Sequence, residues 1–179
     1  RAFFQPNTQQ AELIYETAIA AMGPTAQDAI VADLYCGTGT IALAVARSVR
    51  RVVGVELSAE AVDNARQNAI RNDIDNTDFV CGDVGAITDR WQREGQHHFD
   101  AVIVDPPRSG LSATAVASVV ALDPPRIVYI SCNPAALARD LNVLTRSGYR
   151  LLFARPVDHF PQTGHVETVA ALIRDEVDL

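Results

Sequence analysis

The apolar residues of this 179-residue chain fall into short runs that alternate with stretches of helical spacing. The short runs predict five β-strands, at 29–34, 51–56, 77–81, 99–104 and 126–131. The stretches between and after them predict helices over 40–49, 58–72, 84–92, 112–122 and 134–145. This regular alternation is typical of an α/β protein with a parallel sheet.

The two ends of the chain complete this pattern. A further amphipathic helix is predicted over 7–22, where Gly23-Pro24 ends it. Strands at 150–157 and 165–173 follow each other without a helix between them, which predicts an antiparallel pair. The central strands are apolar on both faces, as buried parallel strands must be. We expect a Rossmann-like, mostly parallel seven-stranded sheet with helices on both faces and this antiparallel pair at the C-terminal end.

Composition indicates one globular domain over 1–179, in which 1–25 form an N-terminal motif and helix. Hydrophobic residues make up 48% of the chain and charged residues 21%. The three cysteines match no metal or disulfide spacing, so we expect no metal site and a reduced, cytoplasmic setting. No apolar run could cross a membrane, and we expect a monomer without membrane contact. A net charge of -7 argues against a general nucleic-acid binder, so any RNA contact must be local or assisted.

A turn with two glycines, Gly37 and Gly39, joins the first predicted strand to its helix. Glycine adopts backbone torsions that other residues avoid, and its missing Cβ lets a ligand approach the main chain and the positive end of the helix. The pattern alone is equally compatible with a tight connection that binds nothing.

Two cofactors are compatible with this turn. Gly37-x-Gly39-x-x-Ala42 satisfies the dinucleotide fingerprint, with Glu56 in the place of the ribose-binding acid, which would indicate a nicotinamide oxidoreductase. Asp33 argues against that interpretation, because a pyrophosphate beside this carboxylate would be repelled. S-adenosylmethionine carries no phosphate, and its cationic sulfonium and ammonium groups favour nearby acids. The residues therefore favour S-adenosylmethionine.

Acidic residues lie at or just after the ends of four successive predicted strands: Asp33, Glu56, Asp83 and Asp105. Each alone is more often a helix cap or a solvated turn residue. Ligands of open α/β sheets bind at the carboxyl ends of the strands, so four acids there predict one binding site. We expect Glu56 to bind the ribose hydroxyls, Asp83 the adenine amino group, and the other two to face the methionine moiety.

The loops after the fourth and fifth strands carry the candidate chemistry. Asp105-Pro-Pro-Arg108 is stiffened by its two prolines. Cys132 precedes Asn133-Pro134, a helix start, and that position predicts a lowered thiol pKa and a nucleophile. Cys36 and Cys81 are predicted to be buried structural cysteines.

Several motifs together cover almost the whole chain: Asp105-Pro-Pro-Arg-Ser-Gly110, Ile127-Val-Tyr-Ile-Ser-Cys-Asn133, Val157-Asp-His-Phe-Pro-Gln-Thr-Gly-His-Val-Glu167, Phe3-Phe4-Gln5-x-Asn7 and Asp33-Leu-Tyr-Cys-Gly37. In these motifs the chain resembles the RNA uracil-5-methyltransferase family, whose catalytic domain is a class I methyltransferase. The resemblance implies methyl transfer from S-adenosylmethionine to C5 of a uridine in tRNA or rRNA.

The resemblance also implies roles for single residues. Cys132 would be the thiolate that adds to uracil C6, and Glu167 the base that removes the C5 proton. Positions that contact the cofactor in the family match Gln5, Tyr35, Thr40, Glu56, Asp83 and Asp105. Three further residues are expected to support Glu167 rather than to react: Asp158, His159 and His165.

The chain departs from the family in two respects. Ala136 stands where the family usually has threonine, which puts a hydroxyl contact at the helix start in doubt. Members also carry an amino-terminal oligonucleotide-binding barrel and an RNA-binding insert that this chain lacks. We therefore expect a catalytic fragment that binds the cofactor, leaves most RNA contacts to missing regions and methylates RNA poorly alone.

Three other functions remain open on sequence grounds. An RNA cytosine-5-methyltransferase uses the same fold and the same attack of a cysteine on C6. It also requires a second cysteine in the strand-four loop, where this chain has Arg108. A non-catalytic S-adenosylmethionine-binding module would not need Cys132 or Glu167. A nicotinamide oxidoreductase is the third.

Overall fold

The computed structural model describes residues 8–23, 27–95, 98–158 and 166–175. Helices and strands alternate along these residues. The helices are α1 (Thr8–Ala21), α2 (Thr40–Ala46), α3 (Ala59–Arg71), α4 (Val84–Glu94), α5 (Ala113–Ala121) and α6 (Pro134–Arg146). The strands are β1 (Ile30–Leu34), β2 (Arg51–Glu56), β3 (Thr77–Cys81), β4 (Ala101–Val104), β5 (Arg126–Ser131), β6 (Tyr149–Val157) and β7 (Glu167–Arg174).

The seven strands form one sheet in the order β3-β2-β1-β4-β5-β7-β6. The first five of these are parallel, and β7 lies between β5 and β6 and runs antiparallel to both. This order confirms the Rossmann-like, mostly parallel sheet and the antiparallel C-terminal pair. It places the carboxyl ends of β1, β2, β4 and β5 along one edge, where β7 begins.

Hydrophobic residues on both faces of the sheet are covered by helices. On one face, Val31 and Ile103 belong to the core that α1, α2 and α3 cover. On the other face, Leu34 and Val104 pack with α4, α5 and α6. All four residues of β4 are buried, as expected for a central parallel strand with helices on both sides.

The element bounds differ from the predicted ones mainly at the end of α2. This helix ends at Ala46 rather than at position 49. The N–H groups of Arg50 and Arg51 both donate to the carbonyl of Ala29, so the chain must leave the helix before it can begin to pair as β2. The predicted start of α1 at position 7 lies outside the described residues.

Side-chain caps fix the starts of the helices that follow the carboxyl edge. Ser58 accepts a hydrogen bond from the Ala61 N–H at the start of α3, and Ser112 does the same for Ala115 at the start of α5. Such caps stabilise a helix by about 1 kcal/mol each. These caps help to fix where the loop after β2 and the loop after β4 end.

Gly54, in the middle of β2, lets the loop between β1 and α2 pack closely on the sheet. A Cβ at this position would lie 2.7 Å from Phe79 and 2.8 Å from the sulfur of Cys36. Both neighbouring side chains are buried, so neither can move into solvent. The bare backbone of Gly54 is therefore a packing requirement of the loop that contains Cys36.

We predict that Gly54→Ala lowers the free energy of unfolding by about 1–3 kcal/mol, because the added methyl overpacks the space between Phe79 and Cys36. Urea unfolding followed by circular dichroism measures this change. The penalty should be smaller when Gly54→Ala is made in a Cys36→Ala background, where one of the two neighbours is trimmed. An equal penalty in both backgrounds would contradict the packing argument.

Candidate active site

Strand register brings Cys132 and Glu167 to the same point of the sheet edge. In the antiparallel pair of β5 and β7, Ser131 lies opposite Thr168, and one step further Cys132 follows β5 while Glu167 begins β7. On its other side Glu167 pairs with Val157 of β6. Glu167 is 9% exposed and Cys132 is partly exposed. The two residues predicted to react are thus neighbours at the open end of β5.

The loop after β1 is held against the end of β2 by main-chain hydrogen bonds. The N–H groups of Tyr35 and Cys36 donate to the carbonyl of Val55, at 2.9 and 3.0 Å. Tyr35 adopts a φ of 68°, which costs a non-glycine residue of the order of 1 kcal/mol or more. Gly37 and Gly39 also have positive φ. The turn therefore has a left-handed backbone at three positions, and at two of them glycine adopts this conformation without strain.

The two glycines of this loop differ in their surroundings. A Cβ at Gly39 would lie 2.9 Å from Phe79 and 3.0 Å from Ala65, so this position packs against the protein itself. A Cβ at Gly37 would meet no atom within 4 Å. Gly37 therefore borders open space, on the side where a ligand could approach the main chain.

Glu56 is fixed by the same loop. One carboxylate oxygen accepts a hydrogen bond from the Gly37 N–H at 3.1 Å, and the other accepts one from the Ser58 N–H at 2.9 Å. Each carboxylate oxygen can accept more than one hydrogen bond, so a pair of hydroxyl groups can still bind. The carboxylate is held in place at the end of β2, as the predicted ribose contact requires.

Asp33 is completely buried and neither of its oxygens has a hydrogen-bond partner within the described chain. Burial, the carboxylate of Asp105 and that of Glu56 together raise the pKa of Asp33 to about 8, although the nearby N–H of Ala42, in the first turn of α2, lowers it. This N–H does not reach hydrogen-bond geometry with either carboxyl oxygen. Two of the other predicted acids thus lie close enough to Asp33 to repel its ionised form.

Asp105 joins this acidic cluster to the pair at the end of β5. Burial and, to a smaller extent, the carboxylate of Glu167 together raise the pKa of Asp105 to about 7. Its N–H donates to the carbonyl of Leu34 at 3.2 Å, which fixes the start of the loop. Asp105 therefore interacts electrostatically both with Asp33 of the predicted cofactor site and with Glu167, the predicted base.

Asp83 lies further along the edge and has a structural partner. Its carboxylate accepts a hydrogen bond from the Ala86 N–H at 3.0 Å and so caps α4. Burial raises the pKa of Tyr35 and the carboxylate of Asp83 raises it further, so the two side chains lie near each other. Both are compatible with an adenine or ribose contact, and Thr40, exposed in the first turn of α2, lies on the same edge.

The lowered pKa predicted for Cys132 is wrong. Burial raises the pKa of this thiol, and the carboxylates of Glu167 and Asp105 raise it further. Arg108 acts in the opposite direction, but its effect is the smaller one. The position before a helix start was correct, since Asn133 caps α6 by accepting from Ala135 and Ala136. Burial and the two neighbouring acids raise the pKa of the thiol despite this helix start.

The other two cysteines differ from each other. Cys36 is buried, as predicted, and burial raises its pKa. Cys81 is exposed, so the prediction of a buried structural cysteine is wrong there. It is the last residue of the edge strand β3, where a side chain has a neighbouring strand on one side only.

Three of the predicted residues lie outside the part of the chain that the structure describes: Gln5, His159 and His165. Asp158 is exposed beyond the end of β6. Ala136, which stands where the family usually has threonine, is buried in the first turn of α6, and the cap at this turn comes from Asn133.

Sequence reasoning missed Asp140, a buried acid on α6 whose carboxylate accepts from the Leu111 N–H of the loop that carries Arg108. A signal for it exists in the sequence, because Asp140 falls between Leu137 and Leu144 on the buried stripe of its helix.

The acidic residues along this edge fit S-adenosylmethionine, the cofactor expected from the sequence. Burial and the carboxylates of Asp105 and Glu56 disfavour the ionised form of Asp33, and neither oxygen of Asp33 has a hydrogen-bond partner among the described residues. A ligand that brings positive charge relieves this repulsion, whereas a pyrophosphate would increase it. The site therefore fits a cationic ligand without phosphate better than a dinucleotide.

The strand order and the acidic carboxyl edge define the class of the protein as a Rossmann-like α/β fold of the methyltransferase type. A ribosomal protein L11 methylase from Lactobacillus delbrueckii superposes with a TM-score of 0.70 over 94% of this chain and 80% of that chain. Since the two are 16% identical, this similarity shows the fold alone.

The chain belongs to the tRNA (uracil-5-)-methyltransferase family, whose profile matches residues 1–175. An uncharacterised RNA methyltransferase of Protochlamydia amoebophila is 45% identical over 171 residues, which cover 96% of this chain and 38% of the relative. A second, from Geobacter sulfurreducens, is 45% identical over 97% of this chain and 35% of its own length.

A solved relative is the tRNA (uracil-54, C5)-methyltransferase of Pyrococcus abyssi in complex with S-adenosyl-L-homocysteine. It is 34% identical, with a TM-score of 0.80, over 97% of this chain and 40% of that chain. The chain thus spans about two fifths of the length of these relatives. Within the described residues, no helix is long and apolar enough to cross a membrane.

We predict that Asp33→Asn becomes more stable than the wild type as the pH rises. The folded state keeps the Asp33 proton up to a pKa of about 8, whereas the unfolded chain releases it near 3.8. The stability that Asp33 contributes is therefore fully present below the lower value and is lost as the pH rises towards the upper one. Asparagine imitates the protonated acid and carries no such loss.

Urea unfolding from about pH 5 to about pH 8 should show the gap between Asp33→Asn and the wild type grow by about 2–4 kcal/mol. Asp63→Asn, which removes an exposed carboxylate paired with Arg66, serves as the control and should show a nearly constant gap. A pH-independent gap for Asp33→Asn would mean that the buried acid is ionised throughout.

Proposed function

We propose that this chain is the catalytic part of an enzyme that transfers a methyl group from S-adenosylmethionine to C5 of a uridine in tRNA or rRNA. The observation that carries the proposal is the register of β5 and β7, which sets Glu167 beside Cys132 at the sheet edge that also holds the acidic cluster. This reaction requires a nucleophile and a base on one side of the site and a cation site on the other.

S-adenosylmethionine, when bound, supplies the methyl group on a positively charged sulfur. The carboxylate of Glu56, held by two N–H groups, is placed to accept hydrogen bonds from ribose hydroxyls. Asp33 and Asp105 are assigned to the methionine end, where the positive charge of the bound cofactor would favour their ionised forms. Tyr35, Gly37, Thr40 and Asp83 line the remainder of the edge. Gln5 completes the cofactor set that the family resemblance implies.

Cys132 performs the first covalent step. Its thiolate forms a bond to C6 of uracil, and the C5–C6 π electrons move towards C4 and its oxygen, which leaves C5 nucleophilic. C5 then bonds to the transferred methyl carbon, while the electron pair of the old carbon–sulfur bond stays on the sulfur. An unmodified uracil C5 is a poor nucleophile, so the thiol is indispensable.

Glu167 performs the last step. Its carboxylate takes the proton from C5, the electrons of that C–H bond restore the C5–C6 double bond, and the thiolate of Cys132 leaves. Burial raises the pKa of Glu167, and a base is most effective when its pKa lies near the working pH. The raised pKa of the Cys132 thiol also makes the thiolate a stronger nucleophile once it has formed.

A uracil substrate is preferred to cytosine on two grounds. The strand-four loop presents Arg108 where a cytosine-specific enzyme would need a second cysteine. The Pyrococcus abyssi relative is named for uracil at C5. A reactive thiol also requires a reducing compartment, which supports action in the cytoplasm.

The acidic charge of the chain bears on RNA binding. A net charge of -7 does not favour the phosphate backbone, and the relatives are more than twice as long as this chain. We therefore expect most RNA affinity to reside in parts of the relatives that this chain does not span, and we expect this chain to act as a monomer.

We predict that the chain forms a covalent adduct with 5-fluorouridine-containing RNA in the presence of S-adenosylmethionine. Fluorine cannot be removed as a proton is, so elimination stalls with Cys132 attached. Denaturing gel electrophoresis and mass spectrometry measure the adduct. Cys132→Ala should form none, and Cys81→Ser, which alters the other exposed thiol, should form a normal amount.

With ordinary uridine RNA, Glu167→Gln should accumulate the methylated adduct, because the C5 proton stays in place, and should lose at least about 100-fold in turnover. Adducts that form only on 5-fluorocytidine RNA would favour the cytosine alternative. The absence of any adduct even at saturating RNA, together with normal cofactor binding, would favour the non-catalytic binding module.

We also predict that the chain binds S-adenosylmethionine on its own, measured by isothermal titration calorimetry. Glu56→Gln should weaken the affinity about tenfold, because it exchanges one ribose acceptor for a donor. Glu60→Gln makes the same charge change in the exposed first turn of α3 and should have little effect. Binding of NADH instead would support the nicotinamide alternative.

A further inference from the structure

Asp140 is a buried carboxylate of α6 to which the proposed reaction gives no part. One of its oxygens accepts a hydrogen bond from the Tyr129 hydroxyl at 2.6 Å and another from the Leu111 N–H at 2.8 Å. Its other oxygen accepts from Nε of Arg139 at 2.9 Å. The side chain is 2% exposed, so this charge depends on these donors.

Arg139 extends the contact from Asp140 to the loop that follows β4. Its Nη2 donates to the carbonyl of Ser109 at 2.8 Å and to that of Leu111 at 3.3 Å. Gly110 lies between these two residues, and a Cβ there would come within 2.5 Å of both Arg139 and Asp140. We call Tyr129, Arg139 and Asp140 the clasp, and residues 105–111 the clasped loop.

The clasped loop leads directly to the reacting thiol. It begins at Asp105 and carries Arg108, and these two residues act on the charge of Cys132 in opposite directions. The side-chain amide of Asn133, the residue after Cys132, donates to the carbonyl of Arg108 at 2.9 Å. A shift of the clasped loop would therefore change what lies beside the thiol.

We propose that the clasp positions Arg108 beside Cys132 and that Asp140 and Arg139 are thus positioning residues for the methyl transfer. The proposal rests on the proposed function for its catalytic consequence alone. The placement of Arg108 relative to the thiol can be measured without RNA or cofactor.

The position of Asp140 on α6 does not require an acid. The helix is already capped by Asn133, and Leu137 and Leu144 pack its buried face. An apolar residue at 140 would serve that face as well as a buried charge, or better. The donors to Asp140 come from the clasped loop, from β5 and from Arg139, whose remaining hydrogen bonds go to the same loop. The carboxylate therefore serves the loop rather than the helix.

The test measures the rate at which iodoacetamide alkylates Cys132 as a function of pH. It uses a Cys81→Ser background, because Cys81 is also exposed while Cys36 is buried. Among the described residues, the charged groups that face Cys132 are Glu167 on β7 and Asp105 and Arg108 on the clasped loop. The variants are Arg139→Ala, Arg139→Lys and Arg108→Ala, with Arg146→Ala as an exposed arginine of the same helix for a matched control.

Loss of Arg139 should raise the pH midpoint of alkylation by about half a unit, so that the rate at neutral pH falls about threefold. Asp105 stays anchored through its N–H to Leu34, whereas Arg108, three residues further on, is displaced. Arg139→Lys should shift the midpoint less, because it keeps the charge without the forked contact. Arg146→Ala should leave the midpoint unchanged.

A double variant separates positioning from a general charge effect. If the clasp acts through Arg108, Arg108→Ala combined with Arg139→Ala should have the same midpoint as Arg108→Ala alone. Full addition of the two shifts, or a wild-type midpoint in Arg139→Ala, would overturn the proposal. If Arg139→Ala fails to fold, Tyr129→Phe removes one donor to Asp140 and should shift the midpoint in the same direction; an unchanged midpoint there would equally overturn it.

The catalytic arm uses 5-fluorouridine RNA. Arg139→Ala should form the adduct about tenfold more slowly than the wild type, with its affinity for S-adenosylmethionine changed less than twofold. Equal adduct rates would overturn the positioning role. If the wild type itself forms no adduct even at saturating RNA, the proposed function fails, and the alkylation midpoints still decide whether the clasp places Arg108.

Discussion

The antiparallel direction of β7 is the constraint on which the rest of the site depends. Because this strand runs against β5, its first residue lies where β5 ends, and Glu167 becomes a neighbour of Cys132. A parallel strand in the same place would carry its first residue to the opposite edge of the sheet. The pairing also brings Glu167 close enough to Cys132 and Asp105 to add to the rise in pKa that burial causes at both groups.

This concentration of acids opposes stability. Asp33 is buried without a hydrogen-bond partner in the described chain, and its ionised form is repelled by Asp105 and Glu56. A protein selected for stability alone would replace such a group by an apolar one. Its retention is understandable if the edge binds a cation that relieves the repulsion. Relief of the repulsion at Asp33 would then contribute to the free energy of binding that cation.

Much of the fold could be predicted because the chain carries local signals for it. Alternating strand and helix periods gave the parallel sheet, and Ser58 and Asn133 marked two helix starts correctly. The end of α2 was missed because it is decided by pairing of Arg50 and Arg51 with Ala29, a contact between distant parts of the chain.

The candidate site was predictable in its residues and less so in its energetics. The acids were found because each follows or ends a strand, but their mutual repulsion depends on distances that no spacing encodes. The pKa of Cys132 was mispredicted for the same reason: the helix start is local, whereas Glu167 arrives from β7. Asp140 was missed although an acid on the apolar stripe of a helix is visible in the sequence.

The loop between β4 and α5 enters any binding event with little conformational freedom left to lose. Pro106 and Pro107 fix two of its φ angles, a turn joins the Gly110 N–H to the carbonyl of Pro107 at 2.8 Å, and Leu111 is buried. Ordering one residue from a mobile loop costs about 1–2 kcal/mol of entropy. A ligand that contacts this loop avoids most of that cost, so its affinity reflects the contacts themselves rather than the ordering of the chain.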